Sequence, residues 1–156
     1  MKIKLIQVGK SEDSFVSDGI ATFKDRTLRY ARVEENIVKC PVSASKQGLV
    51  HQKIAEGREI MDNIFESDYL VLLDEKGRQY DSKEFALKIE KWRNNSIKNL
   101  VFCIGGPFGF SDEVYKRANE TISFSKFTFS HQLIRILFWE QLYRAHTILK
   151  GEKYHH

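Results

Sequence analysis

The stretch Leu-Val-Phe-Cys-Ile-Gly-Gly-Pro-Phe-Gly, residues 100–109, constrains the fold of the chain more than any other segment. Its first half, 100–104, is a short run of apolar residues that predicts a buried strand. The run breaks at Gly105 and Gly106, where the backbone can approach a ligand closely. Ser111 is then expected to cap a short helix with two acidic residues in its first turn. Strand, glycine turn and helix in this order build a ligand site at the carboxyl edge of a sheet, although the same residues also suit a plain structural turn.

The length of 156 residues fits one domain, 1–156, that buries its core without disulfides. Cys40 and Cys103 both lie in apolar, strand-like runs and are expected to be buried free thiols, which suits a reducing compartment. No stretch resembles a signal peptide, and no apolar run approaches the ~20 residues of a membrane span. We therefore expect a soluble, cytoplasmic protein.

The net charge of +4 is unevenly distributed along the chain. Residues 1–68 contain eleven basic and eleven acidic residues, whereas residues 69–156 contain fourteen basic and ten acidic ones. The excess positive charge therefore lies in the half with the glycine turn. This favours an anionic partner such as RNA, although scattered surface lysines explain the charge equally well.

Alternating strand-like and helix-like segments predict an α/β fold with a mainly parallel sheet and helices on both faces. The predicted strands cover residues 2–8, 37–42, 69–73, 100–104 and 122–124. The predicted helices cover about 13–29, 54–65, 81–93, 112–118 and 131–150. The charged run 74–78 is predicted as a turn, Asp81 with Glu84 as a capping box, and Gly151 as the stop of the last helix.

The last predicted helix, 131–150, is apolar around nearly its whole circumference. Such a helix must be buried on nearly all sides. Because one sheet in so short a chain covers only one side, the pattern favours a symmetric dimer in which a second copy covers the rest. Burial within one chain is the alternative.

The segment 123–131 interleaves aromatic residues with serine and threonine hydroxyls. It could form a wall for a planar ligand, although most of these aromatic rings also suit core or interface packing. His131 could move a proton near neutral pH or simply begin the helix. The glycines match neither the dinucleotide-binding nor the P-loop pattern. The histidines and cysteines show no zinc spacing, so no metal is expected.

Several ordered segments together resemble one family. They are Val8-Gly9-Lys10 and the ranges 72–77, 102–109, 123–132, 140–145 and 154–155. They resemble the RlmH family, small bacterial SPOUT-class methyltransferases that act on a pseudouridine of large-subunit ribosomal RNA. The resemblance extends over essentially the whole chain.

The resemblance implies an α/β fold with a C-terminal trefoil knot whose loops wrap S-adenosylmethionine. It implies cofactor contacts at Leu73, Gly105, Phe124, Ser125, Lys126, Phe127, Thr128 and Phe129. It also implies a homodimer that modifies 23S rRNA in the assembled ribosome, with no DNA or membrane partner. His156 stands where many relatives carry Arg or Lys.

The reaction that the resemblance implies is transfer of the sulfonium methyl to N3 of the pseudouridine. The residues that it suggests for catalysis are His131, Arg135, Tyr154 and His155, the last two from the tail of the second copy. Either histidine could accept the N3 proton, and Arg135 or loop amides could stabilise charge on the uracil oxygens. A non-catalytic RNA-binding dimer, or a methyltransferase with another RNA target, remains the alternative.

Overall fold

The computed structural model describes residues 1–11, 13–39, 46 and 48–154, and all structural statements below concern these residues. The strands are β1 (Lys2–Val8), β2 (Val33–Val38), β3 (Tyr69–Gln79), β4 (Asn99–Ile104) and β5 (Glu120–Ser123). The helices are α1 (Ser14–Thr27), α2 (Leu49–Met61), α3 (Ser82–Asn94), α4 (Asp112–Arg117) and α5 (Leu133–Leu149). The strands form one sheet in the order β2-β1-β4-β3-β5, and every pairing is parallel. The predicted α/β fold with a parallel sheet is confirmed.

Helices cover both faces of the sheet, as predicted. Side chains alternate along each strand, so Ile3 and Leu5 of β1 join a core with α1, α3 and α5. Ile6 and Val8 point to the opposite face and join a second core with α2 and α4. Cys103 belongs to this second core as a free thiol, and burial raises its pKa.

The prediction for the second strand was wrong at its start. Strand β2 begins at Val33, four residues earlier than predicted, and Cys40 and the rest of 40–45 lie outside the described residues. β2 pairs only with β1 and forms one edge of the sheet. An edge strand tolerates charged residues such as Glu34, which is why the apolar pattern did not reveal it.

The predicted turn at 74–78 was also wrong, because β3 continues through it. After an irregularity beyond Leu73, Arg78 and Gln79 pair with Ile122 and Ser123 of β5. Gly77 allows the extension of β3 to lie close to β5, since a Cβ at that position would lie 2.5–2.7 Å from backbone atoms of Ile122. The charged residues fit because most of the extension is exposed.

Two of the three predicted helix ends are confirmed. The Asp81 carboxylate accepts a hydrogen bond from the Glu84 amide, and the Glu84 carboxylate accepts one from the Asp81 amide, which makes the capping box. Gly151 follows α5 with a φ of +68°. Ser111 occupies the N-cap position of α4, but its hydroxyl makes no capping bond. Its side chain is instead buried against α2, where a Cβ at Gly57 would lie 2.3 Å from its Oγ.

Helix α5 is largely covered by its own chain on one side. Phe138, Trp139, Leu142 and Ala145 are buried in the core shared with α1 and α3. Leu133, at the start of the helix, is 37% exposed. The apolar circumference is therefore explained in part by burial within one chain. None of the described helices is long and apolar enough to cross a membrane.

Candidate functional site

A cavity of about 440 Å³ lies at the carboxyl ends of β4 and β5, beside the point where the central part of β3 ends at Leu73. Three segments form most of its wall: 73–76 of β3, the glycine turn 104–110, and the loop that follows β5. Ligand pockets typically measure about 300–1,000 Å³ and lie at such strand ends. The location agrees with the predicted ligand site at the edge of the sheet.

The glycine turn packs tightly on itself. Gly105 and Gly106 are buried, and the Gly109 amide donates a 3.1 Å hydrogen bond to the Gly106 carbonyl. A Cβ at Gly105 would lie 3.2 Å from the Phe110 ring and 3.3 Å from the Gly109 carbonyl oxygen. A side chain at Gly105 would therefore displace the turn or the ring beside it.

The loop after β5 is held by hydroxyl groups. The Ser123 hydroxyl donates a 2.7 Å hydrogen bond to the Ser125 carbonyl, and the Ser125 hydroxyl accepts one from the Phe127 amide. The Thr128 hydroxyl donates a 2.7 Å hydrogen bond to Glu75, which joins the loop to the extension of β3. Phe127 is 80% exposed and so presents an uncovered aromatic face at the cavity.

The structure brings most of the predicted cofactor residues together. Those that line the cavity are Leu73, Gly105, Phe124, Ser125, Phe127, Thr128 and Phe129, with His131 beside them. Lys126 is exposed and is not part of the cavity wall. The His131 ring also lies 3.2 Å from the side-chain amide of Gln132.

Arg135 and Tyr154 do not line this cavity. Arg135 is completely buried, and its guanidinium donates hydrogen bonds to the Val8 carbonyl (2.6 Å) and the Ser11 hydroxyl (3.1 Å). Arg135 therefore anchors the loop after β1 to α5. Its predicted place beside a target base would require it to leave this position.

Tyr154 lies against α5 of its own chain. Its hydroxyl donates a 3.1 Å hydrogen bond to Glu140, and the Arg144 guanidinium lies 4.7 Å from its ring centre. Partial burial and the neighbouring Glu140 raise the Tyr154 pKa. His155 lies outside the described residues.

Several charged and polar residues of the cavity wall were not predicted from the sequence. Tyr115 of α4 donates a 2.7 Å hydrogen bond to Asp74, a residue predicted to lie in a turn. Lys53 reaches the wall from α2, which no motif connected to the site. The signal that could have revealed Tyr115 is its place one turn after Asp112 on the helix that follows the glycines.

The wall carries charges of both signs. Its acidic residues are Asp74, Glu75 and Asp112, and its lysines are Lys53 and Lys76. Among the described residues, no cluster of three or more His, Cys, Asp or Glu side chains is arranged to hold a metal ion. The arrangement is that of a partly apolar pocket with ionic groups at its edge.

The sequence matches the model of a known protein family over nearly its whole length. The family model described as "Predicted SPOUT methyltransferase" matches residues 1–155. The chain belongs to this SPOUT methyltransferase family. Two relatives that align over the whole chain confirm the resemblance of the sequence to the RlmH family. These are the proteins named ribosomal RNA large subunit methyltransferase H of Christiangramia forsetii (46% identity, 100% of this chain and 99% of the relative) and Cytophaga hutchinsonii (47%, 100% and 100%).

Solved structures are similar to this SPOUT methyltransferase in fold alone. A probable methylase family protein from Haemophilus influenzae superposes with a TM-score of 0.55 at 13% identity, over 97% of this chain and 67% of the other. A putative methylase family protein from Neisseria gonorrhoeae gives 0.53 at 10% identity, over 91% and 81%.

Proposed function

We propose that this SPOUT methyltransferase transfers a methyl group from S-adenosylmethionine to N3 of a pseudouridine in 23S ribosomal RNA. The observation that carries the proposal is the cavity formed by the glycine turn and the hydroxyl-rich aromatic loop, within a chain that aligns end to end with relatives named ribosomal RNA large subunit methyltransferase H. The excess of basic residues in the half that contains this cavity agrees with an RNA substrate.

The residues of the cavity fit S-adenosylmethionine. Leu73, Ile104 and Phe124 supply apolar wall for a planar adenine, and the two buried glycines leave space where any side chain would intrude. The carboxylates of Asp74 and Glu75 suit a positively charged ligand. When bound, the cofactor supplies a methyl group on a sulfonium that is already activated for displacement.

The chain's own contribution is to position the reactants and to handle one proton. Alignment of the acceptor nitrogen with the methyl group lowers the activation barrier. In the best-oriented reactions this effect reaches roughly 7–11 kcal/mol. His131 lies in the cavity wall and is the candidate to accept the N3 proton. Backbone amides of the 123–130 loop are candidates to stabilise charge on the uracil oxygens.

The proposal includes a homodimer in which the tail of a second copy, with Tyr154 and His155, completes the site. The partly exposed apolar residues at the start of α5, such as Leu133 and Ile134, support a surface for that copy. It further includes one knotted domain over residues 1–156 that acts on ribosomes in the cytoplasm. The two cores on opposite faces of a single sheet support the single domain.

The decisive experiment uses the full-length protein, methyl-labelled S-adenosylmethionine and ribosomes from cells that lack this modification. The expected result is incorporation of one methyl group per ribosome at a single pseudouridine, mapped by mass spectrometry of ribosomal RNA fragments. Free ribosomal RNA and isolated large subunits, assayed in parallel, identify the form that is recognised.

Two outcomes would contradict the proposal. Salt-dependent RNA binding without any methyl transfer would support the non-catalytic dimer instead. Methylation of a different nucleotide would keep the enzyme class and overturn the assigned target.

A further inference from the structure

Glu56 of α2 is a buried carboxylate directly behind the glycine turn. The residue is 2% exposed. A Cβ at Gly106 would lie 2.6 Å from its Oε2 and 2.9 Å from its Oε1. Gly106 lines the cavity, so the Glu56 carboxylate packs directly against a residue of the cavity wall.

This carboxylate is incompletely partnered. Its Oε1 accepts a 2.8 Å hydrogen bond from the Gln52 amide, whereas its Oε2 has no hydrogen-bond partner within the described parts of the chain. None of the described lysines or arginines forms an ion pair with it. Burial of a carboxylate without a cation is unfavourable, and a positively charged ligand near Gly106 would offset part of that cost.

The other charges at the cavity differ from Glu56 in their exposure or partners. Glu75, Lys76 and Asp112 are exposed and therefore strongly screened by water. Asp74 already accepts hydrogen bonds from the Tyr115 hydroxyl and the Lys76 amide. Lys53 lies one turn before Glu56 on the same side of α2, but it is only partly buried and forms no ion pair with Glu56. A buried, weakly screened charge acts over a longer distance than exposed ones.

We propose that Glu56 is a specificity-determining residue that makes the cavity prefer a positively charged ligand to its neutral counterpart. This inference rests on the proposed function, in which the donor carries a sulfonium charge and the demethylated product, S-adenosylhomocysteine, does not. The negative potential behind Gly106 favours the donor over the product. The preference would promote exchange of product for donor after each methyl transfer.

The test compares the affinities of both ligands for wild-type protein and Glu56 variants by isothermal titration calorimetry. Glu56→Gln keeps the shape of the side chain and removes its charge. We expect it to lower the affinity for S-adenosylmethionine about tenfold and to leave that for S-adenosylhomocysteine within about twofold. Glu56→Asp retains the charge and should retain the wild-type preference, even if both affinities fall together.

Two further variants secure the interpretation. Glu34→Gln removes an exposed carboxylate on the distant edge strand β2 and should change neither affinity, which controls for net charge. Glu56→Ala is a second neutral variant in case Glu56→Gln fails to fold, as judged by thermal melting. It should show the same selective loss.

The inference is overturned if the neutral variants lose affinity for both ligands equally, since Glu56 would then only support the turn. It is also overturned if neither affinity changes. A wild-type protein that binds neither ligand refutes the proposed function itself, and the inference with it. Binding of both ligands with unaltered preference in the variants refutes the inference alone.

Discussion

The hydroxyl of Tyr115 donates a 2.7 Å hydrogen bond to Oδ2 of Asp74, which ties α4 to β3 at the edge of the cavity. Oδ1 of the same carboxylate accepts a hydrogen bond from the Lys76 amide. Burial, and then the neighbouring Asp74, raise the Tyr115 pKa, so the hydroxyl remains a donor throughout the physiological range. This contact connects α4, which follows the glycine turn, to β3, which forms another part of the cavity wall.

Loss of this hydrogen bond should loosen the edge of the cavity. We expect Tyr115→Phe to lower the free energy of unfolding by about 1 kcal/mol, measured by urea denaturation, and to weaken S-adenosylmethionine binding in calorimetry. Tyr80→Phe is the matched control, because the Tyr80 hydroxyl makes no hydrogen bond with a described residue. Equal cofactor affinity in wild type and Tyr115→Phe would show that this contact does not shape the site.

A branched side chain at Gly105 should block the cavity. Even a Cβ there would press on the Phe110 ring and the Gly109 carbonyl, and valine adds two methyl groups beyond that Cβ at the cavity wall. We expect Gly105→Val to abolish detectable S-adenosylmethionine binding, with the fold monitored by circular dichroism. Ala21→Val, on the exposed side of α1, should bind as wild type. Undiminished binding by Gly105→Val would place the cofactor elsewhere.

Gly77 is expected to matter for stability more than any exposed position of β3. A Cβ there would collide with the Ile122 backbone, which cannot move without disrupting β5. Gly77→Ala should therefore lower the free energy of unfolding by about 1–3 kcal/mol, the range typical of overpacked sites. Gly19→Ala is the comparison, because the three atoms nearest its Cβ belong to the Ile136 side chain, at 3.1–3.4 Å, and not to the backbone. Similar losses in both variants would contradict the steric argument.

The order of strands and helices was largely predictable because apolar periodicity reports burial directly. The runs at Tyr69–Leu73 and 100–104 are buried on both faces, and both became central strands. The failures occurred where burial is incomplete. In edge strand β2 and the extension of β3, the backbone hydrogen-bonds to a neighbouring strand while the charged side chains face water. The composition of these two segments therefore resembles that of a loop or turn.

The site was predictable in its backbone and less so in its side chains. The glycine turn at Gly105 and the aromatic loop from Phe124 to Phe129 suggested a ligand site, and the resemblance to the RlmH family implied cofactor contacts at the same positions. Glu56 and Lys53 belong to an ordinary amphipathic helix, and only the tertiary fold brings α2 behind the glycine turn. Lys126 was predicted as a cofactor contact because its neighbours in the motif were. Side chains along a loop do not all point to one side, and that of Lys126 is exposed.

His146 should make stability depend on pH. Burial, then the nearby Arg93 and Lys150, lower its pKa from the ordinary 6.5, and its buried Nε2 has no hydrogen-bond partner among the described residues. The unfolded chain therefore binds this proton more readily than the folded one. Its contribution to stability is complete above pH 6.5 and declines as the pH falls from there towards the lowered folded-state pKa.

The measurement is urea denaturation at several pH values from about 7.5 to about 5. His146→Gln should show a flatter dependence than wild type in this window, whereas His51→Gln, at an exposed position of α2, should follow the wild-type curve. Parallel curves for wild type and His146→Gln would assign the pH dependence to other groups.

Under the proposed function, substitutions at Tyr154 should impair methyl transfer without impairing cofactor binding. Its hydroxyl contacts Glu140 and its ring lies under Arg144, away from the cavity wall of the same chain. We therefore expect Tyr154→Ala to retain S-adenosylmethionine affinity and to reduce kcat by at least about tenfold, because a positioned group near the acceptor contributes this much or more. Tyr154→Phe distinguishes the hydroxyl from the ring: a loss as large as that of alanine assigns the effect to the hydroxyl. Full activity in both variants would remove the tail from the mechanism. A loss of S-adenosylmethionine affinity as large as the loss of kcat would mean that Tyr154 only supports the structure by packing against α5.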